Sequence, residues 1–252
     1  MLKNKVAIVT GSSRSIGAQI AKCYAREGAK VVVNYSRNAE LAEEVVREIQ
    51  SEGGEAFAFR ADVSVEEEVQ AMVTETVARY GTIHILVNNA AIDPRRSWFE
   101  ITDAEWDRVM NTNVKSQFYA AKAVYPYMRE QQYGKIINVS SVTHFTGQKN
   151  LLHYVASKSA IVGFTRALAR EVGHDGITVN CLTPGAVLTE SEGEDEWNYD
   201  PEATARLMAT LQALPRRETA KDLEGAFVFL ASPASDFITG QTLNVDGGWI
   251  MH

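Results

Sequence analysis

Residues 154–158, Tyr-Val-Ala-Ser-Lys, set a phenol and an ammonium four positions apart. On a helix that is about one turn, so Tyr154 and Lys158 share a face. Such a pair suits proton transfer. A phenol with a pKa of about 10 is a poor base at neutral pH, and lowering it by about three units takes about 4 kcal/mol of preferential phenolate stabilisation. Burial alone pushes the wrong way, whereas a cation one turn away pushes the right way. The expectation is therefore that Lys158 depresses the pKa of Tyr154. Ser141 precedes the tyrosine by thirteen residues and offers a hydroxyl to hold a substrate oxygen. Singly, the tyrosine reads as a packing residue with a wet hydroxyl and the lysine as a surface residue.

These residues need elements to carry them. Short β-branched runs alternate with helical stretches: strands near 6–10, 30–35, 56–63, 83–90, 135–141, 177–185 and 241–248. Helices are expected from about Ser15 to Glu27, then at 39–52, 65–80, 103–112 and 114–132, with the Tyr154 helix running to about Val172. Alternation of this kind argues βαβ units and a parallel sheet covered on both faces, an α/β doubly wound architecture. The strands barely alternate in polarity, as strands buried on both sides should. With 252 residues and no linker or repeat, one domain is expected, spanning 1–252. A formal net charge of −7 argues against nucleic-acid binding, because no basic surplus exists to neutralise phosphates. Two distant cysteines, Cys23 and Cys181, read as free thiols in a reducing compartment. No signal-peptide pattern or membrane-length apolar run occurs, so a soluble cytoplasmic protein is expected. The five histidines show no ligand spacing with the cysteines, and no metal is expected.

The turn Thr-Gly-Ser-Ser-Arg-Ser-Ile-Gly, 10–17, falls between the first strand and its helix. There the backbone must turn sharply and present N–H groups at a helix N-terminus, which suits a pyrophosphate. Gly11 supplies the turn and Gly17 the close approach of helix and strand, with Ser13, Arg14, Ser15 and Ile16 between them. An NAD site usually carries an acid about 20 residues on, at the end of the second strand. This chain has Tyr35, Ser36 and Arg37 there instead. Arg37 and Arg14 could hold a 2′-phosphate by charge-assisted hydrogen bonds, so NADP(H) is expected, with NAD(H) the alternative. Asp62, Val63, Asn89 and Ala90 end later strands on the same sheet edge, where such sheets bind ligands. A dinucleotide beside a tuned phenol makes hydride transfer between a nicotinamide and a carbonyl or carbinol the natural chemistry.

In order along the chain come TGSSRSIG, NNAA, NTNV, a Ser-Ser pair, YVASK and PGAVLT. Together they resemble the short-chain dehydrogenase/reductase family over essentially the whole chain. The resemblance implies a Rossmann-type sheet of seven strands in the order 3-2-1-4-5-6-7. It implies a catalytic tetrad of Asn113, Ser141, Tyr154 and Lys158. Lys158 would also hold the nicotinamide ribose, and Asn113 would fix a water that relays protons from Lys158. Pro184, Gly185, Val187 and Thr189 match the segment the family sets against the nicotinamide carboxamide. Two positions depart from the pattern: Ser15 stands at the usual middle glycine of the turn, and Ala91 ends the motif usually read Asn-Asn-Ala-Gly.

Residues 190–206 hold seven acids and one arginine, where the family has a mobile lid, here expected over about 188–214. Trp197 and Tyr199 could close over an apolar substrate, although a solvated loop is an equal reading. Pro94, His144, Leu151 and Leu152 are further pocket candidates. Longer matches such as GFTRALA and VDGG resemble the branch containing 3-oxoacyl-ACP reductases and bacterial secondary-alcohol dehydrogenases. An acidic carrier protein wants a basic docking surface, so the acidic segment favours a small ketone or secondary alcohol. Other classes fare worse. A serine hydrolase using Ser141 and His144 lacks a G-x-S-x-G elbow. A non-catalytic nucleotide-binding regulator has no need of a complete tetrad. Finally, the resemblance implies a homotetramer, with helices at about 103–132 and 154–173 in one interface and the tail near another.

Overall fold

In the computed structural model, which describes residues 1–189 and 200–251, the chain alternates strand and helix from its first residues. The order is β1 (Val6–Val9), α1 (Ser15–Arg26), β2 (Lys30–Tyr35), α2 (Ala39–Ser51), β3 (Glu55–Arg60), α3 (Glu66–Tyr80) and β4 (Ile85–Asn88). Then come α4 (Asp103–Met110), α5 (Ser116–Glu130), β5 (Gly134–Val139), α6 (Thr143–Thr146) and α7 (Leu152–Val172). The chain closes with β6 (Ile177–Pro184), β7 (Val187–Leu188), α8 (Pro201–Leu211), β8 (Glu218–Thr219), α9 (Glu224–Ala231) and β9 (Thr242–Val245).

Seven strands form one parallel sheet in the order β3-β2-β1-β4-β5-β6-β9. That is the expected 3-2-1-4-5-6-7 order once the short β7–β8 pair, which forms its own two-stranded sheet, is set aside. Side chains alternate between faces, so neighbouring residues serve different cores. Ala7 and Val9 join the cluster under α1, α2 and α9, while Ile8 joins the one under α3, α5 and α7. All four residues of β1 and of β4 are buried, which explains why their sequences do not alternate. The order reverses between β1 and β4, and their carboxyl ends open the crevice where such sheets take ligands.

The expected helices at 103–112 and 114–132 prove to be one helical rod with an interruption. A π-helical turn, Asn111–Lys115, joins α4 directly to α5. Such wide turns recur at functional sites. A buried polar ladder pins the layers: Asn88 Nδ2 donates to Asn138 Oδ1, and Asn138 Nδ2 to Thr165 Oγ1 on α7, both at 2.9 Å.

Candidate active site

Tyr154 and Lys158 lie on one side of α7, with Lys158 Nζ 5.5 Å from the centroid of the tyrosine ring. Ser141 lies two residues past the end of β5 and is buried, and its hydroxyl acts to lower the pKa of the Tyr154 phenol. Ser141 Oγ accepts from Thr143 N–H at 3.2 Å and from Thr143 Oγ1 at 3.0 Å, which leaves its own hydrogen for a partner in the crevice. Ser140 is spent elsewhere: its hydroxyl donates to the Lys158 carbonyl at 2.7 Å and holds the helix to the sheet.

Asn113 sits in the π turn and is fully buried. Its Oδ1 accepts from Ile92 N–H at 2.8 Å, and its Nδ2 donates to Ile92 O at 2.9 Å and Ser157 Oγ at 3.0 Å. Ser157 in turn donates to the Tyr154 carbonyl at 2.6 Å. The amide thus ties the loop after β4 to the helix that carries Tyr154.

Electrostatics depart from the sequence argument. Burial pushes the Tyr154 phenol well above its ordinary range; Asp93 pushes the same way, and the Ser141 hydroxyl and the charge of Arg95 offset only part. Lys158 does not overcome this burial. Its ammonium is itself buried, donates to the Val139 carbonyl at 2.9 Å, and is pushed down to about 8 by burial. Desolvation of both groups outweighs their attraction. The phenol is accordingly held protonated, the form a proton donor needs.

The Gly-rich turn is built without room for side chains at two points. A Cβ on Gly11, where φ is +61°, would come within 2.9 Å of Ala90 Cα, and one on Gly17 would collide with the Gly11 carbonyl. Asn89 Nδ2 donates to the carbonyls of Thr10 and Gly11, both at 3.0 Å, and Asn34 Oδ1 accepts from Gly11 N–H at 3.0 Å. The turn is thereby fixed to the ends of β4 and β2. The N-cap residue of α1, Arg14, provides no side-chain cap, and the first turn holds no acid, so the positive end of the helix faces the crevice. Ser15 adopts φ +53°, so the serine occupies the left-handed conformation that a glycine would take freely. Ser13 and Ile16 are half-buried in the same turn.

Tyr35 is half-buried at the end of β2, with Ser36 and Arg37 exposed after it. Asp62 is exposed and accepts from the Ser64 N–H and hydroxyl, while the Val63 side chain packs into the core beneath α3 and offers the crevice only backbone. Pro184 is buried, and Gly185 N–H is shared by Val245 O at 3.1 Å and Glu218 Oε2 at 2.9 Å. Val187 pairs with Glu218 across the small sheet, and Thr189 follows half-buried.

The pocket candidates divide. His144 is half-buried and lies against Phe145. Leu151 is only 2 % exposed, because its place at the N-cap of α7 turns it inward, so it packs and does not line an opening; Leu152 is the exposed neighbour. Trp197 and Tyr199 lie outside the described residues. The sequence reading missed Asp93 and Arg95, whose charges reach the phenol; the Asp-Pro-Arg-Arg run in the loop after β4 was the available signal. It also missed Glu218, a buried acid under the Gly185 turn, which no motif marks.

Comparison with known proteins agrees with this architecture. A family model described as Enoyl-(Acyl carrier protein) reductase matches residues 11–250. The 3-oxoacyl-[acyl-carrier-protein] reductase FabG of Staphylococcus aureus is 39% identical over 251 residues, covering 100% of both chains. A hydroxynaphthalene reductase-like protein, Arp2, of Metarhizium guizhouense is 36% identical over 256 residues, covering 98% of this chain and 95% of that one. Among solved structures, a dehydrogenase/reductase from Sinorhizobium meliloti superposes with a TM-score of 0.90 at 37% identity, covering 99% of this chain and 96% of the other. A mutant short-chain dehydrogenase/reductase from Serratia marcescens gives 0.89 at 34% identity, with 98% of each chain covered. With sheet order, Gly-rich turn and tyrosine–lysine pair all in place, the chain belongs to the short-chain dehydrogenase/reductase family, as an NAD(P)-dependent oxidoreductase of CH–OH and C=O groups.

Proposed function

We propose that the protein interconverts a small ketone and its secondary alcohol, with Tyr154 as general acid/base. The observation that carries the reading is the cluster of Ser141, Tyr154 and Lys158 at the carboxyl ends of the strands, with the serine hydroxyl acting on the phenol and the ammonium 5.5 Å from its ring. A bound nicotinamide supplies or accepts the hydride. Ser141 donates to the substrate oxygen and holds it beside Tyr154. In reduction Tyr154 Oη gives its proton to that oxygen as the alcohol forms; in oxidation the phenolate takes it back. Lys158 holds the ribose side, and its buried cation favours the phenolate that reduction leaves behind.

The turn fits a pyrophosphate, since Gly11 and Gly17 leave no Cβ in the way at the N-terminus of α1. Ser13, Arg14, Ser15 and Ile16 would hold it, Asp62, Val63, Asn89 and Ala90 would line the adenine side and floor, and Pro184, Gly185, Val187 and Thr189 would meet the carboxamide. Exposed Arg37, with no acid at the end of β2, supports NADP(H) over NAD(H). Arg37→Asp should shift kcat/KM toward NADH, and an unchanged preference would remove that argument. Tyr154→Phe should leave at most a few per cent of kcat, taken as about 1 in 10². Greater residual activity would overturn the assignment of Tyr154.

A 3-oxoacyl thioester carried by an acyl carrier protein is the second reading, favoured by the full-length similarity to FabG. A panel of small ketones and 3-oxoacyl thioesters, followed by nicotinamide absorbance in both directions, separates the two. NADPH binding without turnover of any of them would point to a regulator. The segment 188–214 is proposed as the substrate lid, of which α8 is the described part. Assembly as a homotetramer is supported by a groove of about 300 Å³ lined by Phe118, Ala121, Tyr125, Phe164 and Leu168 on the outer faces of α5 and α7. A monomer by light scattering would contradict it. No described helix is long and apolar enough to cross a membrane.

A further inference from the structure

The helix that carries the reacting phenol starts without an ordinary cap. Its N-cap residue is Leu151, which makes no side-chain cap bond, and leucine is among the poorest residues for that place. The first intrahelical bond runs from Val155 N–H to Leu151 O at 2.8 Å. The N–H groups of residues 152–154 therefore have no carbonyl partner within the helix. One of them belongs to Tyr154.

That N–H is met from inside the helix. His153 Nδ1 accepts it at 3.0 Å. A ring nitrogen that accepts carries no hydrogen, so in the neutral ring Nε2 carries it. Nε2 lies 3.2 Å from Oε1 of Glu105, in the first turn of α4. Glu105 is held by Arg96 at 3.2 Å, and the Arg96 N–H bonds the Asn150 carbonyl at 2.9 Å, just before α7. The imidazole itself is 0 % exposed. Loop, α4 and the first turn of α7 thus meet at one buried ring with both nitrogens engaged.

We propose that His153 is a positioning residue for the reaction: held in its Nε2–H tautomer by Glu105, it caps the first turn of α7 and thereby sets the Tyr154 phenol against Ser141. The proposal rests on Tyr154 being the proton-transfer group. His153 touches neither substrate nor cofactor, so it acts only through the helix. The plain alternative is a ring that fills space.

Isosteres separate the two. The amide of Asn overlays Nδ1, that of Gln overlays Nε2, and Phe keeps the volume with neither. His153→Asn should keep kcat within about threefold of wild type, while His153→Gln and His153→Phe should lose about tenfold or more, the scale on which small misplacements act. The Kd for NADPH by fluorescence titration should be unchanged in all three. Hydrogen exchange at the Tyr154 amide should accelerate in His153→Gln and not in His153→Asn. Tyr154→Phe run alongside keeps the layers apart. If that variant stays active, the assignment of Tyr154 fails on its own account. If it is inactive while His153→Phe, folded and binding NADPH normally, turns over at the wild-type rate, the ring is filler and the proposal is wrong. Should His153→Phe not fold, equal kcat in the Asn and Gln variants overturns it just as well.

Discussion

Two lysines are buried against the same strand, at opposite ends, and they are treated differently. Lys135 lies near the start of β5 and is 1 % exposed; Lys158 reaches the end of β5 and is 3 % exposed. Lys135 Nζ has a carboxylate 2.7 Å away, that of Asp236, with Ser235 Oγ at 3.4 Å. Lys158 Nζ has the Val139 carbonyl and forms no ion pair with any described residue. The charge of Asp93 offsets only part of its burial cost. A paired buried cation closes a structure, whereas one left to a single carbonyl is held ready for a group that arrives later. The amino end of the sheet is finished, and the carboxyl end is not.

The sharpest way to break this contrast is activity. Lys158→Met should cut kcat by about 10²-fold or more, the scale of acid/base catalysis, while Lys135→Met should leave it nearly unchanged. Equal losses by steady-state kinetics would erase the distinction. Stability should move the other way. Lys158 titrates near 8 in the fold and at 10.5 ordinarily, so between those values the unfolded chain binds more protons and stability rises with pH. Below about pH 8 the buried cation costs on the order of 3 kcal/mol. Lys158→Met should therefore melt several degrees higher at pH 7, with the gain gone by about pH 10.5. Lys135→Met, which replaces one member of an existing ion pair, should show no such gain.

Glu218 extends the comparison to an acid. It is 5 % exposed, its Oε2 accepts the Gly185 N–H, and burial pushes it up to about 8 from 4.5. Here the folded chain binds more protons between those values, so stability falls as pH rises through them. Glu218→Gln should raise Tm much less at pH 5 than at pH 8.5; a gain of the same size at both would contradict this sign. The smallest effect is expected at Ser15. Glycine tolerates its φ of +53°, so Ser15→Gly should gain at most about 1 kcal/mol in urea unfolding.

Much of this was legible beforehand because it obeys local rules. The i, i+4 spacing of Tyr154 and Lys158 follows from helix geometry, and the place of Gly11 and Gly17 follows from strand–turn–helix order. The strand order followed from family resemblance and holds. What could not be read depends on partners distant in sequence. The phenol is pushed up because tertiary packing removes water from it, and spacing alone does not report that. Glu105 lies 48 residues from His153, and Glu218 lies 33 from Gly185. The chain through Asn111–Lys115 carries no composition break, so two ordinary helices were expected where one widened turn stands.

That widened turn constrains how the protein can change. It contains one residue more than an α-helical turn of the same height. Winding that turn as regular α-helix while keeping all its residues would roll everything beyond it by about 100°. Ala120, Val124 and Met128 would leave the core and outward-facing side chains would enter it. A lineage that dispensed with Asn113 would still carry the bulge, because the packing of α5 against the sheet is registered to it.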